Sequence, residues 1–452
     1  MRKSMVATAL ALITIGALGG SSAFAAAPKA STPVTVSVNS ASAGTINSGF
    51  AGFSYEKDRI GAGMFDPNDT NMVNLFKLLG PSVLRVGGNL VDIVKWNPSG
   101  AGGSATAIAP SDVTKFAAFV KATGWKVLYG INLKTNTAAN AASEAQVAAQ
   151  ALGTNLEAFE IGNEPNFYTS DSAYQSSYKS YVTAIKAKVP SAVFDGPGEG
   201  DKVDWDSSFA SAEKSNSLTI LANHLYIGSN TSGSISGMLA STASGRLPST
   251  FATNQKAQKA NGIPQWRMTE TNSYYHGGTA GVSDVEAASL WSLNYLHDVA
   301  VAGGAGANFH GGTSTQFPLN YTPIVYSGLT PTGVQGVYYG ELLWELGGTG
   351  AFHTASVSGG SNVTAWGIGN NVFVNNESTS AISATISLAG TASSANVYVL
   401  TAPSLTSKSV TIAGSAVSVS GGFNPAPTAA SVSGGKVVVT IPADSAALVA
   451  TS

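Results

Sequence analysis

Between residues 50 and about 348 the chain alternates, eight times over, a short β-type run with a longer stretch of helical periodicity. Such alternation constrains the fold strongly, because each helix must carry the chain back before the next strand can run parallel to the last. The strand candidates are FAGFSY (50–55), VLRVGG (83–88), KVLYGIN (126–132) and LEAFEIG (156–162), then AVFDGP (192–197), LTILANHLY (218–226), PQWRMTE (264–270) and ANFHGG (307–312). Helical stretches separate them, including 111–124, read as opening on Ser111 as N-cap and closing on Gly124, and 171–189 and 284–304. The last, GVQGVYYGELLWELGG, ends near Gly347. Eight such units predict a (β/α)8 barrel. A doubly wound sheet would place a glycine-rich phosphate loop directly after a strand. The nearest match, Gly100 to Ala105, follows the turn Trp96-Asn97-Pro98-Ser99 instead.

After about residue 350 the pattern changes to short alternating runs such as VTAWGIG, NVFVNN, AISATISL and KVVVTI, separated by Gly, Ser, Asn and Pro. These predict an all-β sandwich. Residues 34–38, upstream of the first barrel strand, read as a strand lent to that sandwich. The expected division is 1–25 signal peptide, 26–47 N-terminal segment, 48–348 catalytic barrel and 349–452 sandwich. The signal-peptide reading rests on Arg2 and Lys3, an apolar run over 5–20, and the small-residue site Ala23-Phe24-Ala25. The run is too short for a ~20-residue bilayer span. Bacterial export, secreted or periplasmic, is therefore expected, with no membrane association after cleavage.

Charge narrows the function classes. Only 11% of residues are charged and the formal net charge is −2, against ~25% charged in ordinary soluble domains. Losing Arg2 and Lys3 with the signal would leave 21 cations against 25 acids. Nothing here neutralises a run of phosphates, so no nucleic-acid partner is expected. The chain has no cysteine, which removes disulfides, thiolate metal sites and a cysteine nucleophile. Its five histidines show no HExxH spacing, and neither a GxSxG elbow nor a Walker loop occurs. No metal or cofactor is expected, and a monomer is.

Catalytic side chains of a barrel sit where strands end at the C-terminal face. Two carboxylates hold such positions: Glu164, just after strand four in IGNEPN (161–166), and Glu270, closing strand seven in RMTET. Either alone reads equally well as a solvated loop carboxylate. Together they suit glycoside cleavage, in which one carboxyl protonates the leaving oxygen and a second attacks the anomeric centre.

An Asn-Glu-Pro turn after strand four with a lone Glu ending strand seven resembles the clan of retaining barrel glycosidases. By that resemblance Glu164 is the acid/base, Glu270 the nucleophile, and Asn163 the partner of the sugar 2-hydroxyl. LRVGGN (84–89), HLY (224–226) and TETNSYYHGG (269–278) make the chain similar to the heparanase and exo-β-glucuronidase family, from about residue 34 to the end. The resemblance implies that Tyr226, Tyr275 and Gly277 surround the substrate carboxylate, while Glu56, Asp58 and Asn89 bind ring hydroxyls. Glu56 also reads as a structural partner of Arg85. A further tyrosine is implied after strand eight, either Tyr321 or Tyr326. His276 stands where heparanases tend to carry glycine, and His310 reads as a loop histidine. The expected activity is a secreted retaining exo-β-D-glucuronidase acting on a glucuronic-acid-containing oligosaccharide or glycoside. An endo-acting heparanase- or hyaluronidase-like enzyme, a neutral-sugar glycosidase and a non-catalytic carbohydrate-binding protein remain as alternatives.

Overall fold

The computed structural model describes residues 31–243 and 245–452. The expected signal peptide and the first residues of the N-terminal segment lie outside the described residues.

Eight parallel strands close into a barrel in sequence order. They are Ala51–Glu56, Val83–Gly87, Lys126–Ile131, Leu156–Ile161, Phe194–Gly200, Leu218–Ser229, Gln265–Tyr275 and Ala307–Gly311, called here strands one to eight. Each expected strand is present. Strands six and seven run 12 and 11 residues, well past the positions expected for them. The added residues stay paired with each other as far as Ser229 and Tyr275, and Tyr275 lines the mouth. At the opposite end the barrel is filled by the buried Arg267 guanidinium, which donates to Asn308 Oδ1 at 2.5 Å and to the Gly49 and Ala305 carbonyls at 2.8 and 3.0 Å.

The helices follow the strands, with small shifts at their ends. The helix expected to have Ser111 as N-cap starts two residues earlier, with Ala109 in that place, and runs Pro110–Thr123. Proline is tolerated at the first helical position because its missing N–H would have had no partner there. Asp112, not Ser111, then caps the end, its carboxylate accepting from the Ala109 N–H at 2.9 Å. Gly124 closes the helix in the left-handed conformation, φ 77°.

The all-β domain contains the N-terminal strand Thr32–Val38, which pairs in parallel with Ile382–Ser387 and antiparallel with Gly350–Ser358. The two sheets of the sandwich are thereby joined along this strand. Alternation is strict in Lys436–Ile441, where Val437, Val439 and Ile441 are buried and Val438 is exposed. These side chains, with Val34, Val36, Ile382 and Ile386, fill a core of their own.

Barrel and β domain nonetheless share a second core. Trp344, on the last barrel helix Gly336–Leu346, stacks on Phe50 at 5.2 Å and on Phe373 at 5.8 Å, while Trp366 stacks on Phe373 at 5.1 Å. Helix Glu286–Val301 is buried along most of its length and donates from Asn294 to Glu377 at 2.8 Å. One apolar cluster therefore runs across the junction. Truncating Trp344 to alanine should cost ~3–5 kcal/mol and lower the denaturant midpoint in one cooperative step. Separate transitions for barrel and β domain in the parent would contradict a shared core.

Candidate active site

The mouth of the barrel holds a cavity of about 350 Å³ lined by side chains from the C-terminal ends of the strands. At its floor lies the fully buried Arg85 of strand two. Its guanidinium donates to Glu160 Oε1 at 2.8 Å through Nε, to Asn163 Oδ1 at 2.8 Å through Nη2, and to Ser54 Oγ at 3.1 Å through Nη1. Nη1 also binds Glu270 Oε2 directly. One cation thus joins groups from strands one, four and seven.

Glu270 accepts a second hydrogen bond from the Tyr226 hydroxyl, 2.8 Å from Oε1. Burial alone would push this carboxyl upward, but the charges of His310, Arg85 and His224, with the Tyr226 hydrogen bond, outweigh it and hold Glu270 well below the usual carboxylate range. Burial keeps His310 itself toward the neutral form. The permanent positive charge is therefore that of Arg85, and Glu270 is an ionised, oriented carboxylate.

Glu164 follows strand four at φ 45°, ψ 52°, a left-handed conformation uncommon for a residue with a side chain. Its N–H donates to the Gly198 carbonyl at 3.0 Å, which ties the turn to strand five. Oε1 lies 3.3 Å from His224 Nδ1, and the side chain keeps 15% of its surface exposed. Strand six carries register shifts around Ala222, Asn223 and His224. Such irregularities re-aim side chains, and here both His224 and Tyr226 turn into the site. One oxygen each of Glu164 and Glu270 and one nitrogen of His224 lie within 4.8 Å of one another. Those donors would suit a cation in number. Glu160, Glu164 and Glu270 raise His224 to about 9 against burial and Arg85, so a cation held there would have to displace the imidazole proton.

The structure sorts the remaining expected residues. Glu56, Asn89, Tyr275 and Tyr321 line the cavity. Glu56 accepts from the Leu90 N–H at 2.8 Å, and burial together with the charge of Glu270 raises it to about 8. It does not bond to Arg85. Asn163 stands behind the lining, with Nδ2 donating to Asn89 Oδ1 at 3.1 Å, so Asn89 is the amide that faces the cavity. Asp58 does not reach the cavity: its carboxylate is bound by its neighbour Arg59, Nε to Oδ1 at 2.8 Å. Of the two candidate tyrosines, Tyr321 enters the site, stacked on Tyr226 at 6.0 Å. Tyr326 instead bonds the Tyr55 hydroxyl at 2.9 Å within the packed layer behind it.

Two further expected residues have contacts of their own. The Tyr226 hydroxyl donates to Glu270 rather than standing free for a ligand. Gly277 shapes the loop: at φ 91° its Cβ would sit 2.2 Å from the Pro318 carbonyl oxygen, so only glycine lets the two loops touch. Its carbonyl accepts from the Asn320 N–H at 2.6 Å, fixing the segment that carries Tyr321.

Of four further contributors, sequence reasoning singled out His276 and His310 without assigning them to the site, and passed over His224 and Phe167 as site residues. His310 is a strand-eight residue facing the cavity, its Nδ1 3.0 Å from Ser54 Oγ and 3.7 Å from Glu270. His224 carried a signal, standing two residues before Tyr226 on the same face of strand six. His276 stacks on Phe317 at 4.8 Å, forming an aromatic wall. Phe167 lines the cavity beside Glu164 while 64% exposed.

No protein-family model and no curated protein matches this sequence. Among solved structures it is similar to a 4-O-α-L-rhamnosyl-β-D-glucuronidase from Fusarium oxysporum 12S, with TM-score 0.74 and 21% identity, covering 92% of this chain and 100% of that one. It is also similar to AbfB, a family 51 α-L-arabinofuranosidase from Bifidobacterium longum, with TM-score 0.71 and 16% identity over 94% and 100% of the two chains. An α-L-arabinofuranosidase from Thermotoga maritima matches at TM-score 0.70 and 14% identity, over 92% and 99%. The chain thus has the barrel-plus-β-domain fold found in these glycoside hydrolases.

The His224 environment yields a direct test. A folded-state value raised to about 9 from the ordinary 6.5 of histidine means that its stabilising contribution is complete below ~6.5 and lost as pH rises through about 9. The His224 imidazole should titrate near pH 9 by NMR, and His224→Gln should reduce the fall in melting temperature between those pH values. An imidazole titrating near 6.5 would contradict the three-carboxylate environment.

Proposed function

We propose that this protein is a retaining glycoside hydrolase that removes terminal β-linked glucuronic acid. The observation that carries the reaction type is the separation of the two glutamates, whose nearest oxygens lie within 4.8 Å. Retaining enzymes hold their carboxyls ~5–5.5 Å apart, whereas inverting enzymes leave ~6.5–9.5 Å for a water. In this reading Glu270, kept ionised by Arg85 and Tyr226, attacks the anomeric carbon while Glu164 gives its proton to the departing oxygen. The glycosidic bond breaks as the ester to Glu270 forms. Glu164, now a carboxylate, takes a proton from water, the resulting hydroxide attacks the same carbon, and the ester is cleaved.

The uronic-acid preference rests on the chemistry of the lining. Among the described residues that line the cavity there is neither Lys nor Arg. A long polyanion would want a run of such cations, which weighs against an endo-acting enzyme on sulfated or uronic chains. A single carboxylate can instead be met by neutral donors. Burial and nearby negative charge keep Tyr321 protonated far above neutral pH, and Tyr275, Ser314 and Gln316 stand on the same loops. The Fusarium glucuronidase with a similar fold supports the same preference. Export, read from the charged start, apolar run and small-residue site of the N-terminal segment, belongs to this proposal.

The test compares p-nitrophenyl β-glucuronide with the corresponding β-glucoside. The glucuronide should be favoured, and Glu270→Gln should abolish its release. Glu164→Gln should lose ~10²–10⁴-fold on a disaccharide, the range supplied by general acid catalysis, and much less on the nitrophenyl substrate, whose leaving group needs little protonation. Preference for the glucoside would overturn the uronic-acid reading while leaving the two glutamates in place. Equal losses on both leaving groups would remove the acid role from Glu164.

A further inference from the structure

Phe167 is a large apolar side chain left 64% exposed at the rim of the cavity. It ends the single turn Pro165–Phe167 that directly follows Glu164. That turn is held firmly. The Phe167 N–H donates to the Glu164 carbonyl at 3.0 Å, and Asn166 and Gly200 exchange two hydrogen bonds, each 2.9 Å. A Cβ built on Gly200 would lie 2.5 Å from both the Glu164 carboxyl carbon and Phe167 Cε2. Ring and carboxyl therefore share one small patch of strand five. The ring is positioned by the same contacts that position the proton donor, and core packing does not account for its exposure.

We propose that Phe167 is the platform for the leaving group, stacking against a flat apolar face of the ring that departs. The proposal rests on the reading that Glu164 protonates the leaving oxygen. That oxygen must lie within reach of Glu164, so the ring bonded to it extends from the acid/base side of the mouth, where Phe167 stands. The stacked pair His276 and Phe317 also lines the cavity, on the loops after strands seven and eight across the barrel from strands four and five. Beside Phe167, Asp201 also lines the cavity and pairs with Arg246 at 2.5 Å, both about half-exposed. The rim thus offers an apolar face flanked by polar groups, which suits a second pyranose, whose C–H face is apolar and whose edge is hydroxylated, or an aryl group of similar flatness.

The experiment measures kcat/KM of the parent, Phe167→Ala and Phe167→Trp on three β-configured substrates: a glucuronyl fluoride, p-nitrophenyl glucuronide and a glucuronyl disaccharide. Fluoride leaves no ring on the platform and so reports the chemistry and the folding of each variant. Phe167→Ala should lose roughly threefold to tenfold on substrates with a ring and stay within about twofold of the parent on the fluoride. Phe167→Trp should retain activity on the ring-bearing substrates. Loss confined to the disaccharide would identify a sugar as the platform's occupant, and loss confined to the nitrophenyl compound an aryl group. Equal loss on all three substrates, or none on any, would overturn the proposal. The glucosyl fluoride and nitrophenyl glucoside run in parallel separate the two questions. If only the glucosides are cleaved, the uronic-acid reading fails and the Phe167 comparison is made on them.

Discussion

The buried guanidinium of Arg85 is the interaction on which the site depends. A charge without solvent costs several kcal/mol unless its hydrogen-bonding positions are met. Here they are met by Ser54, Glu160, Asn163 and Glu270. The partners come from strands that are distant in sequence, so the barrel must be closed before the cation is satisfied. Its charge in turn permits two acids to lie in the same dry space. Without it, Glu160 and Glu270 would face burial with no permanent counter-charge.

Three carboxyls of the cavity differ in environment, and their differences assign them different work. Glu270 is enclosed, bonded by a cation and a phenol, and held ionised. Glu56 is enclosed with one backbone N–H and a neighbouring negative charge, so it is raised to about 8 and carries a proton at neutral pH. Glu164 stands at the opening, partly exposed, with His224 at its side. One residue type thus supplies a fixed anion, a hydrogen-bond donor and a solvent-facing carboxyl. The distinction comes from burial and partners.

The rigid side of this arrangement is continuous with the rest of the molecule. The last barrel helix presents Trp344 to Phe50 inside the barrel and to Phe373 of the β domain. The strand that opens the described chain joins the β domain before the barrel starts. The loops of the mouth therefore project from a frame braced by this shared core.

The eight strands were legible because hydrophobic runs and helical periodicity alternate at the intervals that a parallel barrel requires, and the two glutamates because they close such runs. The N-terminal strand was legible from its alternation at Val34, Val36 and Val38. Other features were not. Tyr226 reads in sequence as a free phenol, and only the approach of strands six and seven hands its hydroxyl to Glu270. Tyr321 and Tyr326 lie five positions apart in the segment after strand eight, Tyr326 on the short strand Ile324–Ser327, and the fold alone turns one into the cavity and the other onto Tyr55. Asp58 stood near the right strand end but had Arg59 next to it, a local pairing that captured its carboxylate. His310 fell within the expected last strand, but only the closed barrel brings it beside Ser54 and Glu270. Local periodicity and turn chemistry are properties of neighbouring residues, so the sequence by itself determined the barrel, its β domain and the place of the two carboxylates. The partners, protonation and exposure of each side chain depend on what distant strands bring within a few ångströms, and those only the tertiary structure decided.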